Sequence, residues 1–283
     1  MRLVTVATHP GGYFKYLQQS CDRHGAKLDV LGWNQTWKGF QWKFQLMNEY
    51  LKSLPDDEVV CFVDSFDVIL LRPLTELETL FRSVSKNIGA KIIVGCDKIT
   101  PTIQRVVVSP VFWPCQNKYL NSGTYIGLVR DIKQLIAKTL AASNDPKSDD
   151  QMNLIKICRG NESDFYIDCD NMFFITHVNM FGTTFMNAQM KVINGQLMVD
   201  GSRPFLAHGP GSTNMNILLR ELGYFISPAE VKRLQSDRLK AYWRGFQHWA
   251  PICIPIIIFI IIFCCALTIT TYHLLKYSRR LQA

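Results

Sequence analysis

The feature that most constrains the fold is an apolar run at residues 59–70 that is interrupted by two aspartates, Asp64 and Asp67. Its first part, residues 59–63, is continuously hydrophobic, which is typical of a strand buried on both faces of a sheet. Buried carboxylates are costly unless a cation pairs with them, and open α/β sheets bind ligands at the carboxyl ends of their strands. The segment therefore predicts either an acidic site for a divalent cation and a diphosphate or a turn in which the aspartates cap the next element.

Strand-like and helix-like segments alternate along the first part of the chain. Strand patterns occur at residues 3–7, 27–31, 59–63 and 91–95, and helical patterns at 14–24, within 37–54, and at 74–85, 132–142 and 150–157. This alternation predicts an α/β fold with a mainly parallel sheet and flanking helices. The His-Pro-Gly-Gly loop at residues 9–12, directly after the first strand, can approach a ligand closely because glycine has no side chain.

The C-terminal part of the chain predicts a membrane anchor. Pro251–Ile269 contains no charged residue over 19 positions, which is enough for a helix to cross a bilayer. Trp249 and Tyr272 flank it, as aromatic residues do at membrane interfaces. We therefore predict a transmembrane helix at residues 250–272 and a short basic tail at residues 273–283.

A capping box, Ser-Pro-Ala-Glu at residues 227–230, precedes this segment and predicts the start of a helix. That helix is amphipathic and basic, so residues 227–249 are expected to lie along the membrane or to pack under the globular domain, residues 1–226. From Lys232 onward there are eight basic residues and one acidic residue, so +7 of the net charge of +8 lies beside the predicted span. This location favours anionic lipid headgroups as partners and argues against nucleic acid.

The placement of the charges also predicts an orientation. No signal peptide is recognisable before the first strand, and more basic residues precede the predicted span than follow it. We therefore expect a single-pass tail anchor with a cytoplasmic domain, in a viral or host endomembrane. The nine cysteines show no CxxC or zinc-type spacing, which is consistent with a reducing compartment.

Five segments resemble the glycosyltransferase domain of the procollagen lysyl hydroxylases, in the same order as in that family. The Asp64–Asp67 segment is similar to its Asp-x-x-Asp strand, and residues 119–127 to its LNSGGFIG segment. The other three segments are the first strand through Thr8, the acidic pair before Gln151, and the loop at residues 207–213, which resembles HGNGPTK. The resemblance covers roughly residues 1–226 and implies a GT-A-like, Rossmann-related fold without the family's hydroxylase domain.

The resemblance also implies roles for single residues. Asp64, Asp67 and His208 are expected to bind a metal, and Mn²⁺ suits mixed carboxylate and imidazole ligands. Catalytic roles fall on Asp149, Asp150 and Asn121, with Asp150 preferred to Asp149 as base or charge stabiliser; helix capping is the alternative for this pair. Ser122 is expected to bind sugar or acceptor hydroxyls with Asn121. The residues expected to bind the nucleotide are Thr8, Trp37, Lys43, Asp64, Gly209 and Gly211.

The chain departs from the family pattern at three places near the expected nucleotide site. The glycine-rich insertion near Trp37 is reduced to Gly39, Pro210 replaces the asparagine of HGNG, and Asn214 replaces a lysine that would pair with phosphate. The predicted function is transfer of a hexose, glucose or galactose, from a UDP-sugar to a hydroxyl of a protein or glycan acceptor. Hydroxylysine or galactosylhydroxylysine of a collagen-like protein is the acceptor that the resemblance implies. The alternative is a non-catalytic membrane protein that keeps the fold as a binding scaffold.

Overall fold

The computed structural model describes residues 1–98, 113–143, 145, 148–177, 184–211 and 213–281. From residue 245 onward, some side chains of the last helix are outside this description. The described elements are eleven strands and seven α-helices, which we number in chain order.

A six-stranded sheet forms the centre of the domain. Its strands are β1 (Arg2–Val6), β2 (Leu28–Leu31), β3 (Val59–Val63), β5 (Ile92–Cys96), β6 (Leu120–Leu128) and β7 (Phe165–Asp168), in the spatial order β2-β1-β3-β6-β5-β7. β1 pairs in parallel with β2 and β3, and β5 pairs in parallel with β7, whereas β6 is antiparallel to both of its neighbours. Five strands therefore point the same way, which confirms the predicted mainly parallel sheet.

Six helices connect the strands or pack on the sheet before the long C-terminal helix. They are α1 (Phe14–Arg23), α2 (Phe40–Lys52), α3 (Leu74–Ile88), α4 (Val129–Ala142), α5 (Asp150–Gly160) and α6 (Asn216–Glu221). One buried cluster packs residues of α2, α4 and α5 against β3, β5 and β6, and another packs α1 and α3 against the sheet. Because both faces are covered, β3 and β5 are buried along their whole length. This explains why β3 reads as a continuous hydrophobic run.

A smaller sheet lies at the carboxyl end of β3, which Asp64 directly follows. It consists of β4 (Val68–Leu70), β11 (Leu206–His208) and β8 (Phe174–Thr176), with β11 antiparallel to β4 and parallel to β8. A separate hairpin is formed by β9 (Met190–Ile193) and β10 (Gln196–Val199). The sequence patterns did not predict these short strands, because three or four residues are too few to show a period.

Two disulfides correct the interpretation of the cysteines. Cys96 is bonded to Cys169 at the ends of β5 and β7, and Cys115 is bonded to Cys158 of α5. The partners are 73 and 43 residues apart in sequence, so only the folded sheet brings them together. The expectation of a chain without a disulfide framework is therefore wrong, because non-local pairs leave no spacing signature.

The last helix, α7 (Pro228–Leu281), begins where the capping box predicts, and the Ser227 hydroxyl accepts a hydrogen bond from the backbone N–H of Glu230 at 3.2 Å. It is one continuous helix with Pro251 and Pro255 inside it, rather than two separate segments. Among the described residues, no helix has the length and hydrophobicity needed to cross a bilayer. The side chains of Trp249 and Tyr272, like residues 282–283 of the predicted tail, lie outside the described part of the chain. The span at residues 250–272 stays a prediction from the sequence.

Candidate functional site

Asp64, Asp67 and His208 lie together where the main sheet meets the small sheet. Asp64 follows β3, and Asp67 precedes β4. His208 ends β11 and pairs in register with Val68, the residue after Asp67, so its ring faces the aspartates. The His208 Nε2 atom lies 3.4 Å from Asp67 Oδ1 and 4.0 Å from Asp64 Oδ2. One ligand atom from each residue lies within 4.8 Å of the other two, so the three side chains could hold one metal ion.

Three polar atoms of this cluster, on His208 and Asp67, are buried without a hydrogen bond. His208 is 1% exposed, yet neither of its ring nitrogens makes a hydrogen bond, and Asp67 Oδ1 is likewise buried without one. Buried polar atoms are almost always hydrogen-bonded, so the unsatisfied atoms of these two neighbouring side chains are consistent with a ligand that completes the site. Burial lowers the pKa of His208, but the charges of Asp67 and Asp64 outweigh that effect, so its pKa lies above the ordinary value. A bound cation would compensate this excess of negative charge.

Because Gly123 of β6 has no side chain, the side chains of Asp64 and His208 can occupy the space next to it. A Cβ atom at this position would overlap the His208 ring at Cε1 and would lie 2.7 Å from Asp64 Oδ2. The backbone also connects the two parts, since the N–H of Asp64 donates to the carbonyl of Gly123 at 2.8 Å. The Asn-Ser-Gly segment at residues 121–123 therefore shapes the Asp64–Asp67–His208 cluster in addition to lining it.

Lys43 extends the cluster to the opposite side of Asp64. Its ammonium group lies 3.5 Å from Asp64 Oδ1 and forms an ion pair with Asp150, the first residue of α5. The side chains of Lys43 and Asp150 are 6% and 8% exposed, so the pair is shielded from water. Burial lowers the pKa of Lys43, but Asp150 and Asp64 raise it by more, and the lysine stays charged. Asp64 after β3, Lys43 of α2 and Asp150 of α5 thus form one continuous charge network.

Asp149 has a different role from Asp150 in the structure. It is the N-cap of α5, and its Oδ1 accepts a hydrogen bond from the backbone N–H of Met152 at 2.9 Å. This is the arrangement expected of an N-cap, which satisfies a free N–H at the start of the helix. The structure therefore supports the capping alternative for Asp149, and it places Asp150 beside Asp64 and Lys43.

Asn121 belongs to a buried network that includes Asp97, a residue that the sequence analysis missed. Asn121 Nδ2 donates to Asp97 Oδ1 at 3.0 Å, Gln151 Nε2 donates to Asp97 Oδ2 at 3.2 Å, and Asn121 Oδ1 accepts from the N–H of Gly123 at 2.9 Å. Burial raises the pKa of Asp97 to about 6, although the charge of His208 and the hydrogen bonds from Gln151 and Asn121 lower it. Asp97 follows the buried strand β5 just as Asp64 follows β3, which is the signal that could have identified it.

The residues expected to contact the nucleotide are less tightly clustered. The Gly209 N–H donates to the carbonyl of Asp67 at 2.9 Å, which fixes the loop after His208, and Gly211 has a φ of +70°. Thr8 Oγ1 lies 2.9 Å from His9 Nδ1. Trp37 is 45% exposed and packs edge-on against Trp42, the neighbour of Lys43. An exposed aromatic ring beside the charge network could stack on a base.

Comparison with known proteins gives a match over most of the chain. The family described as the PLOD GT domain matches residues 1–233. A procollagen-lysine,2-oxoglutarate 5-dioxygenase of Drosophila melanogaster is 28% identical over 169 residues, which cover 56% of this chain and 22% of that protein. The procollagen-lysine,2-oxoglutarate 5-dioxygenase 1 of Gallus gallus is 27% identical over 245 residues, covering 79% and 31%. The multifunctional procollagen lysine hydroxylase and glycosyltransferase of Caenorhabditis elegans is 22% identical, covering 78% and 32%. The chain thus spans a third or less of these relatives.

Two solved glycosyltransferase structures are also similar to this chain, but at lower sequence identity than these relatives. One is involved in glycosylation of the major capsid of PBCV-1; it has a TM-score of 0.40 and 10% identity, and the match covers 62% of this chain and 85% of that one. The other is the galactosyltransferase LgtC in complex with donor and acceptor sugar analogues, with a TM-score of 0.39 and 13% identity, covering 62% and 76%. Similarity at this level identifies neither a shared site nor a shared substrate.

Proposed function

The chain belongs to the PLOD GT domain family, and from this membership we propose that it is a metal-dependent glycosyltransferase of GT-A type. It would move a hexose, glucose or galactose, from a UDP-sugar to a hydroxyl group of a protein or glycan acceptor. The observation that carries the proposal is the Asp64–Asp67–His208 cluster, in which atoms of Asp67 and His208 are buried and unsatisfied. A scaffold protein without activity would have no need to keep these atoms unpaired at an energetic cost.

The residues of the cluster fit a divalent cation. Two carboxylates and one imidazole are hard and borderline ligands, a combination that Mn²⁺ accepts more readily than Mg²⁺ does. Asp64, Asp67 and His208 would hold the ion, which when bound acts as a Lewis acid on phosphate oxygens. Sugar transfer needs this help because the leaving nucleoside diphosphate accumulates negative charge.

The charge network around Asp150 is suited to the acceptor side of the reaction. The carboxylate of Asp150 is paired with Lys43, whereas that of Asp149 caps α5. Lys43 pairs with Asp150 and fixes its position, and a positioned carboxylate can accept a proton from a hydroxyl or stabilise developing positive charge on the sugar. Asn121 and Ser122, both buried and next to Gly123, would orient the hydroxyl groups. We assign Asp97 to holding Asn121 in place.

The donor would lie between Trp37 and the loop at residues 209–211. Trp37 offers an exposed face for uracil. Thr8 in the loop after β1, Gly209 bonded to Asp67, and Gly211 would approach the sugar–phosphate part. The acceptor that the family suggests is hydroxylysine or galactosylhydroxylysine of a collagen-like protein. Attachment to a membrane through residues 250–272 is part of the proposal, and anionic lipids would be the partners of the basic residues near that segment.

The experiment is a UDP-release assay over a panel of UDP-sugars, with and without Mn²⁺, using galactosylhydroxylysine and hydroxylysine peptides as acceptors. We expect release that requires Mn²⁺ and is lost in Asp67→Ala, which removes one ligand of the cluster. A matched control is Asp56→Ala, because Asp56 is exposed and pairs with Lys133 away from the cluster. If the wild type releases no UDP from any donor in the panel, the scaffold alternative is correct.

A further inference from the structure

A cavity of about 580 Å³ lies beside the Asp64–Asp67–His208 cluster, between the loop after β1 and the first turns of α7. Asp67 and Gly211 line it on the side of the cluster, and the loop at residues 9–13 lines it on another. Its volume is in the range of ordinary ligand pockets. The basic residues of this helix were expected to contact lipid headgroups, but four of them line this cavity.

The wall contributed by α7 is basic. Arg233, Arg238, Lys240 and Arg244 all line the cavity, and Asp237 is the acidic residue of α7 among them. Asp237 Oδ2 accepts a hydrogen bond from Arg233 at 2.8 Å, and the same guanidinium also pairs with Glu230 at 2.7 Å. Lys240 and Arg244 have no carboxylate within ion-pair distance among the described residues, so their charge is available to a ligand.

This wall is attached firmly to the domain. The Arg233 guanidinium donates to the carbonyl of Gly12 at 2.8 Å, and the Gly12 N–H faces Asp237 Oδ2 at 3.3 Å. Leu234 is fully buried in an apolar cluster with residues of α1 and α6. Gly12 itself can only be glycine, since a Cβ atom would lie 2.5 Å from the carbonyl oxygen of Phe66. The start of α7 therefore holds its basic side chains at the edge of the cavity.

We propose that Lys240 and Arg244, on the basic wall of α7, bind the diphosphate of the donor nucleotide. The inference rests on the proposed function, because it requires a nucleotide donor at the Asp64–Asp67–His208 cluster. A cavity with a metal-binding carboxylate on one side and two uncompensated cations on the other is suited to a group with several negative oxygens. Asn214, where the family pattern has a lysine, offers no charge; its Oδ1 accepts a hydrogen bond from the N–H of Asn216 at 3.0 Å. The helix would supply the missing positive charge.

The phosphate of an anionic lipid has the same chemistry as the diphosphate of a nucleotide, so the experiment has to separate the two sources. The variant is the double substitution Lys240→Gln/Arg244→Gln in the full-length chain purified in detergent. The matched control is Lys232→Gln, because Lys232 is exposed on the same helix and does not line the cavity. Binding of UDP and of uridine is measured in the presence of Mn²⁺, by calorimetry and by ligand-observed NMR, and binding to phosphatidylserine vesicles is measured by co-flotation.

We expect the double variant to bind UDP about tenfold more weakly or worse, since a charge-assisted hydrogen bond is worth at least that factor, while uridine binding is unchanged. The control should bind both ligands like the wild type. Adding Asn214→Lys to the double variant should recover part of the UDP affinity, because it returns a cation next to Tyr13, which lines the cavity.

Three results would overturn the inference without refuting the proposed function. Equal UDP affinity of the double variant and the wild type would show that the two cations do not contact the diphosphate. Parallel loss of uridine binding would show a structural effect of the substitutions. Loss of vesicle binding with unchanged UDP binding would assign the basic wall to a lipid surface. A wild type that does not bind UDP at all refutes the proposed function itself, and the inference with it, so the two failures are distinguishable.

Discussion

Gly123 is the residue on which the geometry of the Asp64–Asp67–His208 cluster depends most directly. It is buried in β6, and both His208 and Asp64 fill the space where a side chain would be. Short contacts with two candidate ligands at once cannot be relieved by moving one flexible group, because His208 is itself buried. The Asn-Ser-Gly segment is therefore constrained by the cluster from one side and by the sheet from the other.

We predict that Gly123→Ala destabilises the protein by about 1–3 kcal/mol, the usual cost of overpacking a core, and weakens Mn²⁺ binding at least tenfold. Urea unfolding and Mn²⁺ titration measure the two effects. Gly160→Ala is the matched control, because a Cβ atom at this position, at the end of α5, would meet no neighbouring atom within 4 Å. Wild-type Mn²⁺ affinity in Gly123→Ala would show that the cluster is not the metal site.

The buried pair of Lys43 and Asp150 gives a second prediction at this scale. Lys43→Met leaves the carboxylate of Asp150 buried without its cation, and removal of one partner of a buried pair typically costs about 3–5 kcal/mol. The double variant Lys43→Met/Asp150→Leu should regain much of this stability, because it buries no charge at that position, yet it should transfer no sugar. Urea denaturation and the UDP-release assay separate the two outcomes. Transfer activity in the double variant would exclude a catalytic role for Asp150.

Among the elements, the sequence patterns predicted four of the six strands of the main sheet, β1, β2, β3 and β5, and the amphipathic helices α1–α5, but not β6 or β7. They did not predict the small sheet that orients His208. Its register depends on pairing between β4 and β11, which are far apart in sequence, and a one-residue slip would turn His208 away from the aspartates. The family resemblance, rather than any local pattern, identified His208. Asp97 was missed because a single aspartate after a strand is usually a turn residue.

The start of α5 carries a prediction about Asp149, which was expected to be catalytic and caps the helix in the structure. Asp149→Ser keeps an oxygen that can accept from the N–H of Met152, so stability and sugar transfer should both stay close to wild type. Asp149→Ala should lose about 1 kcal/mol, the typical value of an N-cap, and retain most of its activity. The two variants are compared by thermal unfolding and by UDP release. A loss of 100-fold or more in Asp149→Ser, roughly the lower limit for removing an acid or base group, would restore a direct role in catalysis.

At the scale of the whole molecule, the disulfides and the charge distribution favour opposite compartments. Basic residues before the predicted span favour a cytoplasmic domain, whereas disulfides persist in oxidising compartments. We give more weight to the disulfides, because two non-local pairs meet inside the fold, and we propose that the domain faces an oxidising lumen. A lumenal domain would also meet the acceptor class that the family suggests. Sequence spacing could not reveal this, since each pair joins segments that only the sheet brings together.

We predict that peptides containing Cys96–Cys169 and Cys115–Cys158 are found linked when thiols are alkylated before cell lysis. Cys21 provides the internal control: burial raises its pKa to about 12, so this reduced thiol should be alkylated only after unfolding. Peptide mapping by mass spectrometry without reduction measures both. Alkylation of all four paired cysteines as free thiols after denaturation would instead place the domain in the reducing cytosol.

We propose that Asp64, Asp67 and His208 form a divalent metal site that a nucleoside diphosphate completes. Its most direct test is an electron paramagnetic resonance titration, in which the signal of free Mn²⁺ decreases as the ion binds to the protein. For the wild type we predict one bound Mn²⁺ per chain and tighter binding when UDP is added. Asp67→Ala and His208→Ala should each weaken Mn²⁺ binding at least tenfold, while Asp56→Ala should not. If wild-type protein leaves the free Mn²⁺ signal unchanged with UDP present, or if the cluster variants bind Mn²⁺ like the wild type, these three residues are not the metal site.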